Sequence, residues 1–235
     1  MKLSSLAKAL LASSVLFSAG AYAEPITVSG SAAFTSDYLF RGVSQTSNNA
    51  AVQAGMTLTH ESGAYVSAWG SSIASAAGGS EMDLLLGYSG KAGEVGYDVG
   101  IMHYGYPGAD GAVGYDEVYA SVSTMGLKVG LNYSPDYYNQ SDKFMYLYAG
   151  YSTEVEGVGL SASIGMNKFD STMMMNNALS TTGTDDSYMD YKLAASKSIS
   201  GITVEGAYIG SDIDDMDCPN SVCEGRFVLT VSKGF

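Results

Sequence analysis

From Ile26 to Phe235 the chain alternates apolar and polar residues in a dozen stretches, and the turns between them are short and long in strict rotation. A period of two puts successive side chains on opposite faces of a strand. Val52-Gln53-Ala54-Gly55-Met56-Thr57-Leu58-Thr59 is the clearest case, and stretches 127–133 and 160–167 repeat it. The remaining strands are expected near 26–40, 64–70, 81–90, 94–105, 115–123, 143–153, 186–197, 202–209 and 226–235. Five connections are short, around Ser62-Gly63, Lys91-Ala92-Gly93, Met125-Gly126, Glu156-Gly157 and Ser200-Gly201, each with the glycine that tight hairpins favour. Six are longer, near 41–51, 71–80, 106–114, 134–142, 170–185 and 210–225. Such rotation predicts an all-β fold, a 12-stranded antiparallel transmembrane β-barrel with both termini on the periplasmic side.

The ends and the composition agree. Residues 1–23 read as a signal peptide: Lys2 and Lys8 open it, Ala9 to Phe17 form its apolar centre, and Ala21-Tyr22-Ala23 is a small-x-small cleavage site. Cleavage after Ala23 would start the mature barrel domain, residues 24–235, at Glu24. Beyond this segment no run of 18 or more apolar residues occurs, so a membrane-spanning chain must cross as a closed sheet. With 29 Gly, 18 Tyr and only 15% charged residues, the composition suits such a barrel better than a soluble enzyme. A net charge of −13, more negative still without Lys2 and Lys8, argues against nucleic acid as a partner. The expected location is the outer membrane of a Gram-negative cell, with its lipid and lipopolysaccharide as surroundings. The aromatic C-terminus, Phe235, fits recognition by the barrel-assembly machinery. Lys233 interrupts the apolar face that Phe227, Leu229 and Val231 begin, and a side chain that long can reach the interface.

Several segments in order resemble the TorF family of putative porins. The best match is Ser36-Asp37-Tyr38-Leu39-Phe40-Arg41-Gly42-Val43-Ser44-Gln45-Thr46, followed by Val52-Gln53, His60-Glu61-Ser62-Gly63 and Trp69. Glu81-x-Asp83 with Gly87-Tyr88, Tyr97-Asp98-Val99-Gly100, Tyr106-Pro107-Gly108, Glu117-Val118-Tyr119, Tyr133-Ser134-Pro135-Asp136-Tyr137 and the ending Val231-Ser232-Lys233-Gly234-Phe235 extend it over the mature chain. Ala50 and Ala54 depart from the family's usual proline and glycine. The resemblance implies an outer-membrane channel and leaves its solute unassigned.

With Val52, Leu131 and Ile164 facing lipid, the opposite register lines the lumen with Asp37, Arg41, Glu61, Glu81, Asp83, Asp98, Glu117, Lys128, Asp190, Lys192, Glu205 and Arg226. Eight acids against four bases predict a negative field that favours cations or positively charged small solutes. Some of these acids can instead pair with the bases and brace the wall. Asp37 and Arg41, four apart on one expected strand, are the best constriction candidates, with Arg41 paired to Asp37 or Glu81 or free to read an anionic group.

Cys218 and Cys223, five apart in one long loop of an exported chain, are expected to form a disulfide, with metal ligation the weaker reading. The preceding Asp212-x-Asp214-Asp215-x-Asp217 lacks the glycine and terminal glutamate of a calcium loop and reads as a solvated loop near lipopolysaccharide. No catalytic, cofactor or metal site is expected. A lipid-modifying enzyme would need a serine with a His-acid pair, yet only His60 and His103 are present and no Gly-x-Ser-x-Gly occurs. A structural or adhesin-like barrel remains the alternative to a channel.

Overall fold

The computed structural model describes residues 26–111 and 113–235, so the expected signal peptide, Ala23 and Glu24 lie outside the described residues. In chain order its strands are β1 (Ile26–Thr35), β2 (Leu39–Phe40), β3 (Val43–Ser44), β4 (Ala51–His60), β5 (Ala64–Ser72), β6 (Ser80–Ala92), β7 (Val95–Gly105), β8 (Tyr115–Thr124), β9 (Leu127–Ser134), β10 (Phe144–Val155), β11 (Val158–Phe169), β12 (Ser187–Ile199), β13 (Ile202–Ser211) and β14 (Arg226–Gly234). Twelve of them close into one antiparallel barrel, each beside its neighbour in sequence, and β1 pairs with both β4 and β14. The pair β2 and β3 stands apart as a small hairpin. No described helix is long and apolar enough to cross a membrane.

Closure satisfies the backbone at both edges of what would otherwise be an open sheet. The seam runs from Thr35 opposite Thr230 to Ser31 opposite Gly234. It ends in a reciprocal pair between Gly30 and Phe235, with N···O distances of 2.8 and 2.9 Å. Gly30 leaves room there for the Phe235 ring, which a Cβ would approach to 2.6 Å.

The alternation of the sequence becomes two chemically distinct surfaces. Val52, Met56, Leu84, Leu86, Ile101, Val118, Leu147, Ile164, Leu193 and Leu229 all point outward and stay exposed, an apolar belt around the barrel. Polar pairs bound it on the outer face at the long-loop end. His103 Nδ1 lies 2.7 Å from Asp116, and Lys168 Nζ lies 2.5 Å from Asp186. That hydrogen bond from Lys168 holds the Asp186 carboxyl below the usual carboxylate range. At the other end Lys233 reaches back toward the Ser200-Gly201 turn, its Nζ close to where a Cβ of Gly201 would sit.

Three short connections share one turn chemistry. Met125-Gly126, Glu156-Gly157 and Ser200-Gly201 each hold both central residues at positive φ, the twist that matches two-residue hairpins and that glycine adopts without strain. Arg41-Gly42, between β2 and β3, has the same geometry, with φ of 50° and 80°. The expected strand over 26–40 therefore stops at Thr35. The chain bends at Ser36, and residues 39–44 form a separate hairpin. Asp37 and Arg41 consequently do not share the face of one strand.

Candidate functional site in the barrel lumen

The hairpin of β2 and β3 turns into the barrel and crosses it. It leaves between β1 and β4, yet the Arg41 guanidinium reaches β8, nearly opposite around the ring, where Nη1 and Nη2 donate to Glu117 Oε1 and Oε2 at 2.7 and 2.8 Å. The rings of Phe40, Phe144 and Tyr146 stand 4.4–4.8 Å from its Cζ. Glu117 is fully buried and also accepts from Asn132 Nδ2 at 2.8 Å and from the Tyr104 hydroxyl at 3.1 Å. This bidentate, desolvated pair is the strut that holds the strap across the lumen. Its partner differs from both carboxylates expected for Arg41, because the strap carries the side chain past Asp37 and Glu81 to the far wall.

Asp37 anchors the root of the strap. Its carboxylate accepts from Ser44 Oγ at 2.7 Å and Thr46 Oγ1 at 2.6 Å, and Arg226 Nη1 approaches to 3.2 Å. Ser44 N donates to Val222 O, and Ala74 N donates to Gln45 O. Around the strap, Tyr104, Tyr115, Tyr137, Phe144, Phe169, Tyr188, Met175 and Cys223 form the main buried cluster. The long-loop end is thus filled with aromatic side chains. Met175 comes from helix α1 (Thr172–Leu179), capped by Ser171. Cys218 and Cys223 are disulfide-bonded, with Cα atoms 6.0 Å apart, and both are buried under the strap side of the last long loop.

Along the inner wall tyrosine rings lie over glycines of the neighbouring strands. Tyr65 and Tyr119 face each other across Gly87 and Gly100, their hydroxyls 2.5 Å apart, and Tyr65 donates to Asp98 at 2.7 Å. A Cβ at Gly87 would lie 2.5 Å from the Tyr65 ring, and one at Gly100 2.5 Å from the Tyr119 hydroxyl. Tyr148 covers Gly130 and Tyr146 covers Gly165 in the same manner. The abundance of Gly and Tyr thus has a local cause: a ring takes the volume that its neighbour's missing side chain leaves.

The other inward residues divide into paired and unpaired. Lys192 Nζ donates to Glu205 Oε1 at 2.7 Å. Asp190 accepts from Asn167 Nδ2 at 2.7 Å and from the Tyr146 hydroxyl at 3.2 Å. The Lys128 ammonium stands 6.0 Å from the Tyr148 ring centre, and among the described residues it forms no salt bridge. Glu81 accepts from the Tyr106 hydroxyl at 3.2 Å, but its Oε2 and Asp83 Oδ1 have no partner among the described residues. Glu61, expected in the lumen, instead lies exposed in the turn between β4 and β5, because the strand ends at His60. Seven of the expected acids therefore face the lumen region against four bases. Lys91 and Glu154 extend the inner faces of β6 and β10 to the rim and leave that excess unchanged.

The two histidines lie outside the lumen. His60 Nδ1 contacts Ser62 Oγ at 2.8 Å within an exposed turn. His103 with Asp116 forms a His-acid pair on the outer face, where its cross-strand neighbour Leu84 offers no nucleophile. Among the described residues no group of three or more His, Cys, Asp or Glu is placed to hold a metal ion.

The fold is similar to that of a solved structure described as KdgM porin, at 9% identity and a TM-score of 0.54, covering 88% of this chain and 98% of that one. A NanC porin structure is similar at 10% identity and a TM-score of 0.51, covering 89% and 99%. No curated protein sequence matches. Residues 19–235 match the family described as bacterial protein of unknown function (Gcw_chp), and the chain belongs to that family.

Proposed function

We propose that the protein is an outer-membrane channel through which small hydrophilic solutes diffuse, with a preference for cations, and that it has no catalytic activity. The observation that carries this reading is the lumen itself. Its wall is polar from Asp98 to Glu205, its tyrosines lie against the wall, and its acids outnumber its bases while the outer face is apolar. Unbalanced carboxylates in a confined pore raise the local concentration of cations and exclude anions. The likeness to structures named as porins, at 9–10% identity, concerns the fold alone; it agrees with the channel reading, as does the resemblance to the TorF family.

In this proposal the signal peptide directs export, both termini and the short turns face the periplasm, and the strapped end faces outward among lipopolysaccharide. Phe235 is the signal read by the barrel-assembly machinery. The strap of Arg41 is the constriction. The test is planar-bilayer recording of refolded protein under a potassium chloride gradient. A reversal potential of the cation-selective sign is expected. Anion selectivity would reject the preference, and correctly folded protein without any conductance would reject the channel and favour a structural barrel.

A further inference from the structure

Between the strap and β5 to β7 lies a chamber of about 340 Å³, at the lower end of the range of about 300–1,000 Å³ typical of small-molecule sites. Its inward row reads Trp69, Asp83, Tyr104, three residues directly opposite one another on adjacent strands. Tyr38 and Phe40 of the strap border it, Tyr38 edge-on to Trp69 at 5.4 Å and Phe40 edge-on to Tyr104 at 5.7 Å. Leu85 and Met102 add to the apolar lining, and Ser67 lies at its edge.

Asp83 is only 9% exposed, it lines this chamber, and its Oδ1 has no hydrogen-bond partner among the described residues. The bases near the strap are committed elsewhere: Arg41 to Glu117 and Arg226 to Asp37. Glu81, two residues away on the same face of β6, adds a second carboxylate oxygen without a partner. A buried carboxylate without a counter-charge is costly, whereas its neighbours here are aromatic side chains of the kind that attract a cation, Trp69 and Tyr104. An inorganic ion would use the carboxylate and waste the aromatic walls. A neutral aromatic solute would use the walls and leave the carboxylate unmatched.

We propose that this chamber binds a small organic cation, a primary ammonium group carried on an apolar or aromatic body, with the ammonium donating to Asp83 and the body held among Trp69, Tyr104 and Phe40. The proposal deepens the channel reading by naming a solute class, and rests on it only for the route by which the ligand arrives. Asp83 is the specificity-determining residue. The rings supply affinity for the body without distinguishing charge.

Trp69 is the chain's single tryptophan, so its fluorescence reports occupancy of this chamber and no other place. Detergent-folded protein is titrated with phenethylamine, with 2-phenylethanol as the neutral analogue of nearly the same shape and phenylacetate as the anionic one. A saturable change is expected with phenethylamine, at least tenfold tighter than with either analogue. Asp83→Asn should weaken phenethylamine by at least tenfold and leave 2-phenylethanol unaffected, while Glu61→Gln, in a turn outside the lumen, should match the unaltered protein. Equal affinity for amine and alcohol in the unaltered protein, or no saturable change, would overturn the proposal without any variant. An Asp83→Asn protein that folds and binds the amine normally would do the same. Because the readout is binding rather than current, a silent bilayer and a failed titration refute different claims.

Discussion

Replacing Arg41 with alanine should open the lumen. The pair it forms with Glu117 is 5% and 0% exposed at the side chains, and it supplies both hydrogen bonds that reach across the barrel. Removing one partner of such a buried pair costs about 3–5 kcal/mol, because the other charge is left in a desolvated site. Loss of the contacts with Phe40, Phe144 and Tyr146 adds roughly 0.5–2 kcal/mol. The neutral hydrogen bonds left at the strap, such as Ser44 N to Val222 O and Ala74 N to Gln45 O, contribute about 1 kcal/mol each. The loss therefore exceeds what any one surviving neutral contact supplies, and the strap should spend much of its time away from Glu117. Single-channel conductance should rise in Arg41→Ala and change little in Lys128→Ala, whose ammonium meets a ring rather than a carboxylate. Proteolysis within 36–50 should accelerate in the first variant only. Arg41→Ala combined with Glu117→Ala removes the orphaned charge, so the double variant should be less destabilised than the two single losses added together. Equal conductance in Arg41→Ala, Lys128→Ala and the unaltered protein, or full additivity of the two losses, would refute the strut.

Gly87→Ala should lower conductance, since its Cβ would lie 2.5 Å from the Tyr65 ring and 2.6 Å from the Tyr119 hydroxyl and would lift both into the lumen; overpacking of this kind costs about 1–3 kcal/mol. Gly206→Ala, with nothing within 4 Å, is the control, and equal currents from both would show that the tyrosines do not set the bore. Thiol reagents should label neither Cys218 nor Cys223 in native protein without reductant, and Cys218→Ser with Cys223→Ser should cost about 2 kcal/mol from the entropy of so short a loop. Quantitative labelling of unreduced protein would contradict the bond.

The barrel was legible because both of its signals are local. Alternation reports a face, and the X-Gly turns report where the chain reverses, so the number of strands and their antiparallel order follow without knowledge of any distant contact. The strap has a signal in the sequence too: Arg41-Gly42 is the same X-Gly turn as Met125-Gly126, set between the short stretches Leu39-Phe40 and Val43-Ser44. Reading the strand on through Phe40 placed Asp37 and Arg41 on one face and hid that turn. The partner of Arg41 was beyond the sequence for a different reason. Glu117 is 76 residues away, and only the direction in which a long loop folds, outward to solvent or inward across the lumen, decides which wall its tip meets. Glu61 shows the converse error, because alternation extended one residue past the end of a strand describes a turn as if it were wall.

The distribution of the unpaired charges gives the lumen a side as well as a sign. The strap and its root use Arg41 and Arg226 to neutralise Glu117 and Asp37, and Lys192 neutralises Glu205 on the wall of β12 and β13. Of the acids that remain, Asp190 is satisfied by Asn167 and Tyr146, whereas Glu81, Asp83 and Asp98 lie on the adjacent strands β6 and β7. Of the bases without a salt bridge among the described residues, Lys128 projects from β9, beyond β8, and Lys91 stands at the short-turn rim of β6. In the proposed channel a cation entering from the short-turn end passes Lys91 at the rim, then meets Asp98 and Asp83 along one wall that leads into the aromatic chamber, and the strap narrows the way beyond it. Held by a strut whose charges cancel, the strap adds no field of its own, so the barrier it sets is steric while the attraction comes from the wall. In the proposed channel, selectivity and passage are then governed by different residues, and each can change without the other.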